Sequence, residues 1–338
     1  MYNFQIIESK DSSKWAEIVK KADVFDFHHT AYFHKIDTDF SSQLLHFYID
    51  DSFIALPIIL RPISDTPYFD ITSVYGYSGP ISHFSNEETK HLLIEFFKTT
   101  FISYCKENNI VSVFSRLHPL IDQKDILENI GEIADVNKTV AIDLTLPPEE
   151  QRKEYRKSLK SELNQLRKKE VFIESVNNHS DIKDFITIYY ETMDRVNASS
   201  GYYFSESYFN DFLNNEEFQS ELLVAKKDNK IIAGAIFTFT DKIMQYHLAG
   251  TTEEFIRETP MKLILDEARL SGNKTSALHL HLGGGVGGSD DDSLFKFKSG
   301  FSKNFKQFSV WKYIVDVEIY NKLSSGKVNS DFFPLYRS

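Results

Sequence analysis

Cysteine is nearly absent. Cys105 is the single one in 338 residues, so no internal disulfide can form, and its apolar helical setting reads as a buried inert thiol. Long hydrophobic runs are missing as well. No stretch approaches the roughly 18 consecutive apolar residues of a membrane span, and the start Met1-Tyr2-Asn3-Phe4-Gln5 has no basic segment leading into an apolar one. The expectation is a cytoplasmic protein without transmembrane anchoring, at most peripheral at the inner face of the membrane. H-E-x-x-H spacing is absent, so no metal site is expected. With no G-x-S-x-G, and no base beside Cys105, a covalent nucleophile is not expected either. The composition also excludes disordered, collagenous and solenoid chains.

Two features are present in excess. Aromatic residues, with 29 Phe and 17 Tyr, make 14% of the chain, enough for large cores or stacking surfaces. The formal charge is −11, which argues against DNA as a partner. That charge is uneven: residues 1–147 sum to −9 and residues 148–338 to −2. The second half therefore has more cation to offer an anionic ligand. Much of it lies between Arg152 and Glu170, with eight Lys/Arg and three Glu.

The periodicity predicts a strand at Phe4–Glu8, a helix from Ser12 to Ala22, a hairpin of Leu44–Ile49 and Ser52–Leu60, and a strand at Asp70–Tyr77. A long helix from Glu87 to Asn108, a strand at Val111–Ser115 and another at Val140–Leu144 follow. Pro147-Pro148 then reads as a domain boundary. After a basic helix over 152–169, the order repeats. Strand Val171–Val176 leads to helices Ile182–Val196 and Tyr208–Leu213, then to a hairpin of Leu222–Lys226 and Lys230–Phe239. Strand Met244–Leu248, helix Pro260–Leu270, strand Ala277–Leu282, a glycine loop, a short helix and strand Ser309–Val315 complete it. The opening strands lie 167 residues apart and the crossover strands 166 apart, which suggests an internal duplication. Antiparallel strands first and a helix-linked parallel pair after predict one mixed sheet with helices on both faces in each half. The expected fold class is thus α/β (α+β), with domains at 1–147 and 148–338.

This order resembles an acyl-coenzyme A N-acetyltransferase domain, and two in tandem resemble the Fem family of peptidyltransferases. The resemblance rests on the helix Arg156…Leu159-Lys160…Arg167, on Tyr190-Glu191-Thr192-Met193-Asp194-Arg195, and on Gln245-Tyr246-His247-Leu248-Ala249-Gly250-Thr251. Above all it rests on Leu282-Gly283-Gly284-Gly285 with Phe297-Lys298-Ser299-Gly300-Phe301. The first half matches through its order of elements and Tyr75-Gly76-Tyr77-Ser78-Gly79-Pro80. The resemblance implies two tandem acetyltransferase-like domains and transfer of an aminoacyl or acyl unit to an amine on a peptidoglycan or surface-glycan precursor. No permanently bound cofactor is implied; the donor is aminoacyl-tRNA or acyl-CoA. A phosphorylated or nucleotide-linked envelope precursor and the tRNA acceptor stem are the implied partners. An N-acetyltransferase and a non-catalytic binding module of the same fold are the alternatives.

Each candidate residue also has a structural reading. Gly283-Gly284-Gly285-Val286-Gly287-Gly288 spells G-x-G-x-x-G, but it runs into Asp290-Asp291-Asp292, whose charges oppose a pyrophosphate. A turn beside a cleft fits better, with an aspartate capping the following helix. Lys298 matches the family's reaction-centre lysine, where an ammonium among rings can stabilise an oxyanion; Lys296 reads as solvated. Arg195 matches a phosphate-contacting arginine, and Tyr203 can border the same cleft. Arg156 and Lys160 offer an anion site or a solvated basic face. Tyr246 and His247 lie on the strand that in acetyltransferase folds faces the acyl donor. In Arg116-Leu117-His118-Pro119 the family often has Asp before Pro; His118 is either a base near neutral pH or a histidine tied to a backbone carbonyl. The loop Phe255–Lys262 has no glycine to cradle the coenzyme A pyrophosphate, which disfavours coenzyme A, and the resemblance implies aminoacyl-tRNA as the first choice of donor.

Overall fold

The computed structural model describes residues 2–286, 291–328 and 330–338. The chain forms two compact units, Met1–Asn137 with Gln307–Ser338, and Lys138–Lys306. This partition differs from the expected division at 147/148, because the C-terminal segment belongs with the first unit. The reason is a buried clamp. Asp70 accepts from Arg61 Nε at 2.7 Å and from Arg337 Nε at 2.8 Å, while Tyr336 Oη and Ser112 Oγ share a hydrogen bond of 2.8 Å.

The first unit contains β1 (Asn3–Glu8), α1 (Ser12–Lys20), α2 (Ala31–Asp37), β2 (Ser41–Ile49), β3 (Ser52–Pro62), β4 (Phe69–Thr72), β5 (Ile81–His83), α3 (Glu87–Glu107), β6 (Ile110–Arg116), α4 (Lys124–Leu127) and the start of β7 (Glu132–Asp143). Strands β1, β2, β3 and β4 are antiparallel neighbours in that order, β5 also pairs β3, and β6 joins β4 in parallel through the α3 crossover. Asn86 caps α3 by accepting from Thr89 N–H, and acidic Glu87 and Glu88 suit the positive helix end. The buried face of α3, with Leu93, Phe97 and Phe101, packs against Phe47, Val113 and Trp311.

The second unit contains α5 (Pro148–Lys153), α6 (Lys157–Lys168), β8 (Phe172–Val176), α7 (His179–Arg195), α8 (Glu206–Leu213), β9 (Gln219–Lys227), β10 (Lys230–Phe239), β11 (Ile243–Thr251), α9 (Met261–Gly272), β12 (His279–Gly283), α10 (Ser293–Lys298) and the start of β13 (Asn304–Ile314). The remainder of β13 pairs β6, and α11 (Val317–Ser324) follows it in the first unit. Strands β8 to β11 are antiparallel neighbours, β12 runs parallel to β11, and the end of β7 runs antiparallel to β12. Mixed sheets flanked by helices are thus present in both units. The basic helix is two pieces, since the backbone leaves helical geometry at Arg156, whose N–H donates to the Gly300 carbonyl at 2.9 Å. Leu159, Leu163 and Leu166 bury one face of α6 in the core that holds α9. Among the described residues no helix is long and apolar enough to cross a membrane.

Candidate active site

The site begins where a strand pair opens. Strands β11 and β12 are in parallel register over Ile243–Gln245 and His279–His281. Beyond Gln245 they are no longer paired, although β11 runs on to Thr251 and β12 to Gly283. A gap between parallel strands at their C-terminal ends is where α/β sheets admit a ligand. Gln245 and His281 close its floor with a 2.7 Å hydrogen bond, and His281 is buried.

Lys298 lies at the mouth of this gap. The last residue of α10, it is 7% exposed, and its side chain points back along the helix, the direction helical geometry imposes. Its Nζ donates to the Gly284 carbonyl at 2.8 Å and lies 5.7 Å from the centre of the Tyr246 ring. Burial pushes its pKa down to about 8, while the Asp292 carboxylate opposes that shift. Lys298 therefore keeps most of its charge at neutral pH yet gives up a proton readily. Lys296 lies in solvent, paired with Asp291 at 2.9 Å. Asp292 caps α10 by accepting from Phe295 N–H at 2.8 Å. Of the glycine run, Gly283 ends β12 with a φ of +75°, while Gly287 and Gly288, with Ser289 and Asp290, lie outside the described residues.

Alternation along β11 separates two of the expected residues. Tyr246 turns toward Lys298 and the Phe237 ring, whereas His247 stacks on Phe212 with ring centres 4.8 Å apart. Arg195 ends α7 and donates from Nη2 to Thr192 Oγ1 at 3.2 Å; its Nη1 is buried with no hydrogen-bond partner among the described residues. Thr192 Oγ1 in turn accepts from the Thr251 N–H at 3.0 Å, which ties this arginine to the far end of β11. Tyr203 stacks on Tyr190 and donates to Asp194 at 2.6 Å.

Much of the basic charge in this region is already matched by carboxylates. Arg156 pairs with Glu162 at 2.7 Å, which also holds Lys262 at 3.0 Å. Arg167 reaches Asp266 and Glu267, both at 2.9 Å. Lys160 is exposed, as are Lys157 and Lys168, and none of the three has an ion pair among the described residues.

In the first unit the corresponding parallel pair is closed again. Past β4 and β6 the chain forms a parallel bridge between Ser78 and Leu117, with the Ser78 N–H on the Arg116 carbonyl at 2.8 Å. The Arg116 guanidinium lies over the Tyr75 and Phe114 rings, at 5.2 and 5.3 Å. His118 is buried, its Nδ1 accepting from Leu120 N–H at 3.1 Å and its Nε2 donating to Asp26 Oδ2 at 3.2 Å. Both ring nitrogens are thereby engaged, and burial lowers its pKa. This arrangement ties His118 to the Asp26 carboxylate and the Leu120 amide, not to the backbone carbonyl of its structural reading. Burial alone would raise the Asp26 pKa, but hydrogen bonds from His118 and His28 overcome this and hold it well below the usual carboxylate range. Gly76, at a φ of +122°, brings its backbone against the His28 ring, where a Cβ would come within 2.2 Å of Nε2. The run Asp26-Phe27-His28-His29 has no hydrophobic period that marks it as a site; its signal is polar residues set among aromatic ones. Among the described residues no group of His, Cys, Asp and Glu has the arrangement of a metal site.

No protein-family model and no curated protein matches the sequence. Solved structures do match. FemX superposes with a TM-score of 0.72 at 14% identity, covering 95% of this chain and 99% of that one. The chain has a Fem-type fold. The C-terminal domain of a putative lysylphosphatidylglycerol synthetase from Agrobacterium fabrum matches with a TM-score of 0.58 at 13% identity, over 89% of this chain and 91% of that one. L-PGS from Bacillus licheniformis gives 0.56 at 12% identity, over 91% and 93%. At these identities it is the Fem-type fold that is shared.

Proposed function

We propose that this Fem-type chain is an acyltransferase that moves an aminoacyl unit from aminoacyl-tRNA to an amine on a cell-envelope precursor, with Lys298 in the reaction centre. The observation that carries this reading is the buried lysine at the open end of the β11–β12 pair, beside the Gly284 carbonyl and the Tyr246 ring. An ammonium has three N–H donors, and Gly284 takes one. The others are available to the oxyanion that forms when the acceptor nitrogen attacks the ester carbonyl. Collapse of that intermediate breaks the ester bond, forms the amide and returns a proton to the ribose oxygen. The name of one similar structure, a putative lysylphosphatidylglycerol synthetase, supports aminoacyl transfer to a cell-envelope component.

Coenzyme A is the weaker donor on geometric grounds. A pyrophosphate needs free amides at a helix N-terminus. At the start of α9, Lys262 N–H donates to Thr259, Leu263 N–H and Ile264 N–H both reach the Pro260 carbonyl, and proline has no N–H. Exposed Lys157, Lys160 and Lys168 on α6, together with the unpaired Nη1 of Arg195, are the cations we assign to the phosphates of the donor or acceptor.

Thermal-shift measurements against aminoacyl-tRNA, acetyl-coenzyme A and UDP-linked muropeptides test the substrates, because a ligand of the native state raises its melting temperature. Stabilisation by acetyl-coenzyme A alone would replace this reading with an N-acetyltransferase, and a bound ligand without turnover would replace it with a binding module. Lys298→Ala should lower turnover by about 100-fold or more with ligand affinity retained. Lys296→Ala is the control and should keep full turnover.

A further inference from the structure

Lys298 is held from two directions, and both lead to one carboxylate. Asp292 Oδ1 accepts from the Phe295 N–H at the start of α10, which fixes the helix that carries the lysine. The same oxygen occupies the place of a side chain at Gly285: a Cβ there would lie 2.2 Å from Oδ1 and 2.6 Å from Cγ. Gly285 follows Gly284, whose carbonyl accepts from Nζ. The helix and the acceptor strip therefore meet on Asp292. Among the described residues Nζ also meets two neutral groups, the Gly284 carbonyl and the Tyr246 ring. Tyr246 is kept protonated, since burial pushes its pKa up. Asp291 and Lys296 are exposed and engage each other at 2.9 Å.

We propose that Asp292 is the positioning residue of this site: its carboxylate locks α10 against the Gly284–Gly285 strip, and it supplies negative charge at the start of the helix that carries Lys298. Packing and charge are separate duties, and substitutions divide them. Asn keeps the capping oxygen and the shape but drops the charge. Ala drops all three. Gly285→Ala leaves the aspartate in the chain but contests its space. This proposal deepens the assignment of Lys298 to the reaction centre and rests on it for its relevance to catalysis, not for its geometry.

The test reads Lys298 directly. In protein carrying 13C-labelled lysine, the signal that Lys298→Arg removes is titrated by NMR in the full chain, with no substrate present. Asp292→Asn should keep the melting temperature and lower the protonation constant of Lys298 by about threefold or more, because the opposing charge is gone. Asp292→Ala and Gly285→Ala should release the lysine, so that its signal titrates toward the ordinary lysine range above about 10. An unchanged titration in Asp292→Asn would overturn the charge duty, and unchanged titrations in both alanine variants would overturn the positioning duty. Should Lys298→Ala keep full turnover while these shifts appear, the assignment of Lys298 to the reaction centre fails and the Asp292 lock stands.

Discussion

A lysine buried beside an uncharged ring and a single carbonyl costs folding free energy, because its ammonium gives up water for one hydrogen bond and one ring. Lys298 has this setting, with the Asp292 charge offsetting part of the cost, and burial pushes its pKa down to about 8. The sign follows from the two states. Below about pH 8 both folded and unfolded chains carry the proton, so the full penalty of burying charge is present. Between about 8 and 10.5 the unfolded chain binds more protons, and stability rises with pH. Lys298→Met should therefore stabilise the second unit by about 1–3 kcal/mol at pH 7, an advantage that shrinks as pH is raised through that window. Urea denaturation at pH 7 and pH 9.5 checks it, and the same variant should lose turnover by about 100-fold or more. A destabilised Met variant would mean that the ammonium makes further favourable contacts. Sequence could place Lys296 and Lys298 about 200° apart on a helix, so that only one faces the core. It could place an aspartate at the cap of that helix but could not give the Gly284 carbonyl as partner, because Gly284 arrives from the other end of the glycine loop.

Elements were legible where the hydrophobic period was clean. The hairpin Leu44–Leu60, the long helix from Glu87 and the strand–helix alternation after Val171 agree with the structure to within a few residues. Three things were not legible. β7 begins at Glu132, eight residues before the expected Val140, because Asp135, Asn137 and Lys138 obscure its alternation. The basic helix breaks at Arg156 through a tertiary bond to Gly300, which local propensity does not contain. The C-terminal segment returns to the first unit through Arg337, a contact 267 residues from its partner. That return rests on Asp70, fully buried between two guanidinium groups. Removing the carboxylate leaves both cations uncompensated, so Asp70→Ala should cost about 3–5 kcal/mol and free the segment after Gln307 for proteolysis. A fall below about 1 kcal/mol, with the segment still protected, would mean that Trp311 and Tyr320 hold it by packing alone.

Across the molecule, buried imidazoles are concentrated in one unit. In the first, burial pushes His29 and His34 down to about 3 and His46 to about 4, and it lowers His118 as well. In the second, His279 is lowered by its burial. A histidine kept neutral by folding takes up a proton on unfolding whenever the pH lies between its folded pKa and the ordinary value near 6.5. As pH falls through that window the unfolded state gains the protons, and each costs the fold about 1.4 kcal/mol per pH unit. The Asp26 carboxylate adds to this only at lower pH, since its own pKa lies well below the usual range. The first unit holds four such histidines, whereas the described residues of the second hold His279 and a buried His281, so the first should lose stability on acidification more steeply. Hydrogen exchange of the full chain, followed from pH 7 to pH 4.5, reads this unit by unit. Amides of the first core, such as those of Phe47, Phe97 and Val113, should lose protection while those of Ile236 and Leu265 keep it. His34→Leu, which removes a buried imidazole whose ring nitrogens have no side-chain partner, should flatten the acid slope of the first unit by about one proton. Loss of protection in both units at the same pH, or an unchanged slope in His34→Leu, would show that these imidazoles do not set the acid limit of the fold.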